Sequence, residues 1–185
     1  MFDQLTELVN QYGNEAVVNN NAVPNEENQA ALNEANSSIV DGLKNMASSG
    51  NLSELAGLFQ GNSIDSSNPV VQQLTQQLSG NLGQKLGLSS EASSNVAASL
   101  IPKVLGSLIG NAKDPNHKGF EISDIVNAIS GGNGNSGLMD AISNYGAKFG
   151  LDQNGDGKVG MDDAIAAVSK NSGGLGGMLG KLFGK

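Results

Sequence analysis

The stretch SSEASSNVAASLIPKVLGSLIG, residues 89–110, decides the fold because it carries the broadest apolar face in the chain. Its apolar residues recur every three or four positions, which is the period of one face of an α-helix. We expect a central helix here, capped by Ser89 or Ser90, with Pro102 bending or splitting it. The apolar face consists of Val96, Leu100, Ile101, Val104, Leu105, Leu108 and Ile109.

The preceding stretch, SNPVVQQLTQQLSGNLGQKLGL at residues 67–88, predicts a second long helix. Asn68 stands where a side-chain cap is favoured, and Pro69 follows at the first helical position. Gly80 and Gly83 weaken its second half. Its expected buried side chains are Val71, Leu74, Leu78 and Leu82.

Four further segments complete the predicted bundle over residues 1–130. The first helix has Phe2, Leu5, Leu8, Val9 and Tyr12 on one face, and a Gly- and Asn-rich break follows it. The second starts near Pro24, Glu26 and Glu27 and buries Ala31, Leu32, Ala35, Ile39, Leu43 and Met46. NLSELAGLFQG and EISDIVNAIS predict two more helices. No segment alternates like a strand, so the fold class is all-α.

Composition excludes several functions. The net charge is −8, and all ten cationic side chains are Lys, which argues against nucleic-acid binding. The absence of Cys excludes disulfides, Cys-ligated metals and thiol catalysis. The N-terminus does not look like a secretory signal, and no window resembles a span of about 18 apolar residues. We expect a cytoplasmic protein, with export without a cleaved signal as the alternative.

The stretch LDQNGDGKVGMDDAIAAV, residues 151–168, has the spacing of an EF-hand calcium loop. Such a loop takes oxygen ligands from alternate positions among about 12 residues and needs a glycine at the sixth. Gly157 stands at that place. The predicted Ca²⁺ ligands are Asp152, Asn154, Asp156, the backbone carbonyl of Lys158, and Asp163. The alternative is a polar turn without a metal.

The residues around this loop extend the prediction to a whole second unit. Apolar residues on both sides predict an EF-hand-like helix–loop–helix over residues 138–172. GGNGNSG, residues 131–137, predicts a flexible linker before it. A Gly- and Leu-rich tail, residues 173–185, follows it. This tail is expected to be either a frayed terminus or a docking peptide.

Residues 114–129, DPNHKGFEISDIVNAI, can be aligned with the calcium loop as a degenerate partner. Lys118 and Ile125 then fall at ligand places, which would abolish calcium binding. An ordinary Asp-Pro turn followed by a helix is the other interpretation. His117, with no second histidine beside it, is expected to be an ordinary surface residue.

Two resemblances add to these patterns. Closure of the calcium loop by Asp163 resembles the dockerin-type variant of the EF-hand. The helical segments NPVVQQLTQQLSGNLGQKLGL and SSNVAASLIPKVLGSLIG resemble the YidB-like family of bacterial proteins of unknown function. They are most similar to its longer versions with a calcium-loop segment and a Gly-Leu-rich tail. That resemblance implies an all-helical fold and no catalytic residues.

The function predicted from the sequence is a calcium-binding structural or interaction protein that is not an enzyme. The sequence contains no nucleophile motif, no distinctive carboxylate pair and no phosphate-binding Gly loop. The alternative is a metal-independent helical scaffold or self-assembling protein. A protein partner, or self-association through the apolar helix faces and the tail, is the kind of interaction that the sequence allows.

Overall fold

The structure, a computed structural model, describes residues 2–60, 64–114 and 122–130. These residues form helices and connecting turns without any strand, which confirms the all-α prediction for this part of the chain. All of them belong to the first of the two units into which the chain divides, Met1–Leu138. The helices are α1 Phe2–Gly13, α2 Asn28–Ser48, α3 Leu52–Gln60, α4 Pro69–Leu86, α5 Ser90–Lys113 and α6 Ile122–Ile129.

Helix α5 is the centre of the bundle, as its apolar face predicts. It packs most extensively on α4, and it also contacts α1 and α6. Every residue of the predicted apolar face is buried. Ser89 is the cap, because its Oγ accepts a hydrogen bond of 3.1 Å from the Ala92 N–H. Pro102 does not split the helix, which continues to Lys113 because tertiary packing on both sides of the proline outweighs one lost backbone bond.

Helix α4 begins and ends through local backbone chemistry. Asn68 Oδ1 accepts hydrogen bonds from the Val70 N–H at 2.9 Å and the Val71 N–H at 3.4 Å, while Pro69 occupies the first helical position. At the other end Gly87 has a φ of 65°, a left-handed conformation that glycine adopts without a steric penalty. The chain can therefore turn sharply, and α5 starts at Ser90.

Helix α2 contributes the second half of the core. Its predicted stripe, which includes Ile39, Leu43 and Met46, is buried, and α3 packs beside it. Gly42 of α2 lies directly against the Leu74 side chain of α4. A Cβ atom built there would lie 2.1 Å from Leu74 Cδ2. Any side chain at position 42 would therefore require Leu74 to move.

The predicted break between α1 and α2 is present, at residues 19–24, but it begins later than expected. A π-helical turn, Asn14–Val18, continues the helix and buries Ala16 and Val17. Burial of these two apolar side chains outweighs the weak helix propensity of the surrounding Gly and Asn residues. A 3₁₀ turn, Asn25–Glu27, then leads into α2.

The exposed surface of α1 differs in part from the predicted face. Phe2 is 43% exposed, and Lys44 Nζ lies 5.2 Å from its ring centre. Val18 is the other large apolar side chain exposed in the described ranges, at 40%. The remaining apolar faces of these helices pack against one another.

Helix α5 is long and apolar enough to cross a membrane, by length and composition alone. The core helix of a bundle passes the same test, and 56% of the relevant α5 window is buried by neighbouring helices. The expectation that the chain has no membrane span stays a prediction.

Candidate functional site

The predicted metal ligands lie outside the described residues. These ligands are Asp152, Asn154, Asp156, Lys158 and Asp163. The predicted linker, helix–loop–helix and tail also lie outside the described residues. Within residues 2–60, 64–114 and 122–130, no group of three or more His, Asp or Glu side chains could hold a metal ion. The calcium loop therefore stays a prediction from its spacing.

A polar cluster joins α2 to α4 in the described bundle. This α2–α4 polar cluster consists of Glu34, Ser38, Gln77, Asn81 and Lys85. Lys85 Nζ donates to both carboxylate oxygens of Glu34, at 2.8 and 2.9 Å. Ser38 Oγ donates to Glu34 Oε1 at 3.2 Å and accepts from Asn81 Nδ2 at 2.9 Å. Gln77 Nε2 donates to the Ser38 carbonyl at 3.4 Å.

The spacing of these residues explains how two helices bring them together. Glu34 and Ser38 are four residues apart on α2, and Gln77, Asn81 and Lys85 repeat every four residues on α4. Residues four apart share one face of a helix. The two polar rows therefore meet along the seam between α2 and α4.

The arrangement fits helix pairing better than catalysis. The Ser38 hydroxyl donates to a carboxylate, as an activated nucleophile would. However, Ser38 is only 2% exposed, so a substrate has no access to its oxygen. Glu34 already accepts three hydrogen bonds and faces a lysine. The cluster satisfies its own polar groups inside the interface.

A second pair of polar contacts joins the N-terminal segment to α5. Tyr12 Oη and Ser107 Oγ share a hydrogen bond of 2.6 Å. Lys103 Nζ donates to Glu15 Oε2 at 2.8 Å. This hydrogen bond, together with the lysine charge, holds the pKa of the Glu15 carboxyl below its ordinary value of 4.5. Both contacts hold the N-terminal helical segment on the second half of α5.

The segment aligned with a degenerate calcium loop is described only in part. Asp114 follows the end of α5 in an extended conformation, and Ile125 is 1% exposed within α6. His117 and Lys118 lie outside the described residues. Ile125 belongs to the apolar core, which both interpretations of this segment allow.

The α2–α4 polar cluster is the feature that sequence reasoning missed. Its signal was present, because polar residues at four-residue spacing occur on both helices. Their pairing depends on contacts between residues 39 to 51 positions apart.

Comparison of the chain with protein families, with curated proteins and with solved structures finds no match. The YidB-like and dockerin-type resemblances stay predictions.

Proposed function

We propose that this protein is a calcium-binding structural or interaction protein without enzymatic activity. The observation that carries the proposal is the spacing of oxygen-bearing residues from Asp152 to Asp163, with Gly157 at the turn position. Calcium would act as a structural clip that orders residues 138–172. The YidB-like resemblance belongs to the same proposal and assigns no residue a catalytic role.

The chemistry of the donor set fits calcium. Three carboxylates, one amide oxygen and one backbone carbonyl are hard oxygen ligands, and Gly160 leaves a position that a water would occupy. Asp163 closes the loop with a shorter side chain than Glu, so bidentate contact is harder. We expect a modest affinity, with a dissociation constant on the order of 10⁻⁵ to 10⁻³ M.

The described bundle supports the non-enzymatic half of the proposal. Its main polar cluster is internally hydrogen-bonded, and the Ser38 hydroxyl in that cluster is inaccessible to a substrate. Its helices pack through apolar faces on a central α5. These are the properties of a stable platform to which a metal-ordered segment could be attached.

Calorimetric titration with calcium tests the metal site. The wild-type protein should bind one ion, and Asp152→Ala should lose the binding heat because it removes the first ligand. Asp162→Asn is the matched control, since it removes a neighbouring carboxylate that is not a predicted ligand. It should retain one ion per chain. Equal heats for the wild type and Asp152→Ala would contradict the proposal.

Hydrogen exchange tests the clip itself. Calcium should slow exchange across residues 152–170 and leave residues 70–110 nearly unchanged, because the metal orders only its own neighbourhood. Even protection over the whole chain would instead mean global stabilisation by ligand binding. No change anywhere would favour the metal-independent helical scaffold.

A further inference from the structure

The outer surface of α4 and of the first half of α5 carries only two charged side chains, Lys85 and Glu91, both close to the turn that joins the two helices. Residues 66–84 and residues 92–102 contain no charged side chain. The exposed residues of this surface carry amides, hydroxyls or almost no side chain. We name it the α4–α5 amide face; it consists of Gln72, Gln73, Gln76, Gly80, Gln84, Ser94, Asn95 and Ala98.

Helix geometry makes this surface continuous. Gln72, Gln76, Gly80 and Gln84 repeat every four residues along α4, on the side opposite its buried leucines. Helix α5 lies alongside, and the Ser79 and Ser94 hydroxyls share an exposed hydrogen bond of 3.1 Å across the seam. The amides of α4 and the small residues of α5 therefore form one surface.

The charges of the molecule are concentrated elsewhere in the described bundle. Residues 2–60 carry eight carboxylates against one lysine, a net charge of −7. Residues 66–102 carry one lysine and one glutamate and are neutral. The carboxylates are Asp3, Glu7, Glu15, Glu26, Glu27, Glu34, Asp41 and Glu54. Two copies that met through α1–α3 would place like charges opposite each other.

The chemistry of the face is complementary to itself. Gln72 Nε2 already donates to the Ser66 carbonyl at 3.1 Å. The amides of Gln73, Gln76 and Gln84 each offer both a donor and an acceptor, so identical patches can hydrogen-bond across a two-fold axis. Gly80 and Ala98 allow close approach at the middle of the patch. The 18 residues of α4 span about 27 Å. With a neighbouring helix at about 10 Å, the patch covers on the order of 500 Å², enough for a weak dimer.

We propose that a second copy of this chain docks on the α4–α5 amide face and forms a weak two-fold dimer. Two features select this occupant: the self-complementary amides and the absence of the like-charge repulsion that the acidic helices would cause. None of the predicted calcium ligands belongs to the α4–α5 amide face, so the dimer should form without metal.

Sedimentation of the 185-residue chain in the presence of a chelator tests the dimer. The wild-type mass should rise with concentration from 18.8 kDa towards twice that value. Gly80→Lys should raise the dimer dissociation constant at least tenfold. A Cβ at Gly80 has no heavy atom within 4 Å, so the fold should tolerate the change.

Gly57→Lys is the matched control, because Gly57 is also helical, exposed and free of neighbours within 4 Å. Both variants change the net charge equally, so a loss of dimer only with Gly80→Lys locates the contact. Gln76→Lys adds a charge to the same face without replacing a glycine, and it should reproduce that loss. A wild-type chain that stays monomeric at millimolar concentration, or equal effects at positions 57 and 80, would overturn the proposal.

Discussion

Two lysine–glutamate pairs in this bundle have the same N–O distance and very different surroundings. Lys85 and Glu34 lie 2.8 Å apart, as do Lys103 and Glu15. The Glu34 side chain is 13% exposed and the Glu15 side chain 75% exposed. The lysines differ in the opposite direction, with Lys85 57% and Lys103 41% exposed. The two pairs therefore differ in how strongly solvent screens the carboxylate, and equal distances do not imply equal contributions to stability.

The contacts around the Lys85–Glu34 pair are also more buried than those around the Lys103–Glu15 pair. Beside Lys85 and Glu34, the α2–α4 interface includes a buried serine hydroxyl and the close approach at Gly42. The Lys103–Glu15 contact is exposed to solvent, and the Tyr12–Ser107 hydrogen bond is part-buried. We therefore expect substitutions in the α2–α4 interface to cost more stability than substitutions at the Glu15–Lys103 pair.

The largest expected effect is at Gly42. In Gly42→Ala, the new Cβ would lie 2.1 Å from Leu74 Cδ2 and 3.0 Å from Gln77 Oε1, so the buried leucine must move. Overpacking of this kind costs about 1–3 kcal/mol, offset by up to about 1 kcal/mol of helix propensity. We expect the free energy of unfolding to fall by about 1–2 kcal/mol in urea titrations.

Gly80→Ala is the control for Gly42→Ala. The same change is made in a helix where the added Cβ meets nothing within 4 Å. Only the gain in propensity remains, so this variant should be more stable by about 0.5–1 kcal/mol. If both variants changed the free energy of unfolding by the same amount and sign, the contact between Gly42 and Leu74 would not restrict the side chain at position 42.

Double-mutant cycles on the two ion pairs should give a smaller difference. Alanine replacements of Glu34 and Lys85 should reveal a coupling of about 0.5–1 kcal/mol, because Lys85 is still partly solvated. The cycle on Glu15 and Lys103 should show a smaller coupling at physiological salt, because solvent screens the exposed Glu15 carboxylate. Equal coupling energies in the two cycles would show that burial of the carboxylate does not strengthen the ion pair.

The smallest expected effect is on the titration of Glu15. Lys103 holds the pKa of this carboxyl below 4.5, so the pair stabilises the fold above that pH. The contribution is lost as the pH falls through the lowered pKa of the folded state. In Lys103→Gln, an NMR titration of the Glu15 carboxyl should show its pKa returning towards 4.5. An unchanged pKa would mean that another group causes the shift.

The parts of the fold that depend on local chemistry could be predicted from the sequence. Asn68 and Ser89 cap their helices through bonds to residues two or three positions ahead, and the apolar stripes of α2, α4 and α5 follow from periodicity. The π-helical turn escaped prediction, because burial of Ala16 and Val17 overrode local propensity. The α2–α4 polar cluster escaped because no local pattern specifies which two polar rows meet.

The candidate metal site, unlike the α2–α4 polar cluster, is defined entirely by local sequence. Its ligands, from Asp152 to Asp163, form a local motif in which one segment supplies every oxygen, so spacing alone defines the prediction. Contacts with the rest of the chain are not needed to recognise it. They would be needed to explain what the ordered loop does, which is why the clip is tested by hydrogen exchange as well as by binding.

The tight turn at Gly87 has a consequence for the order of folding. It separates α4 from α5 by only three residues, so these helices can pair with a small loss of loop-closure entropy. Pairing of Tyr12 with Ser107 closes a loop of 95 residues instead. Contacts between sequence neighbours form faster than distant ones. The α4–α5 hairpin should therefore act as the folding nucleus on which α2 docks, and α1 should add last.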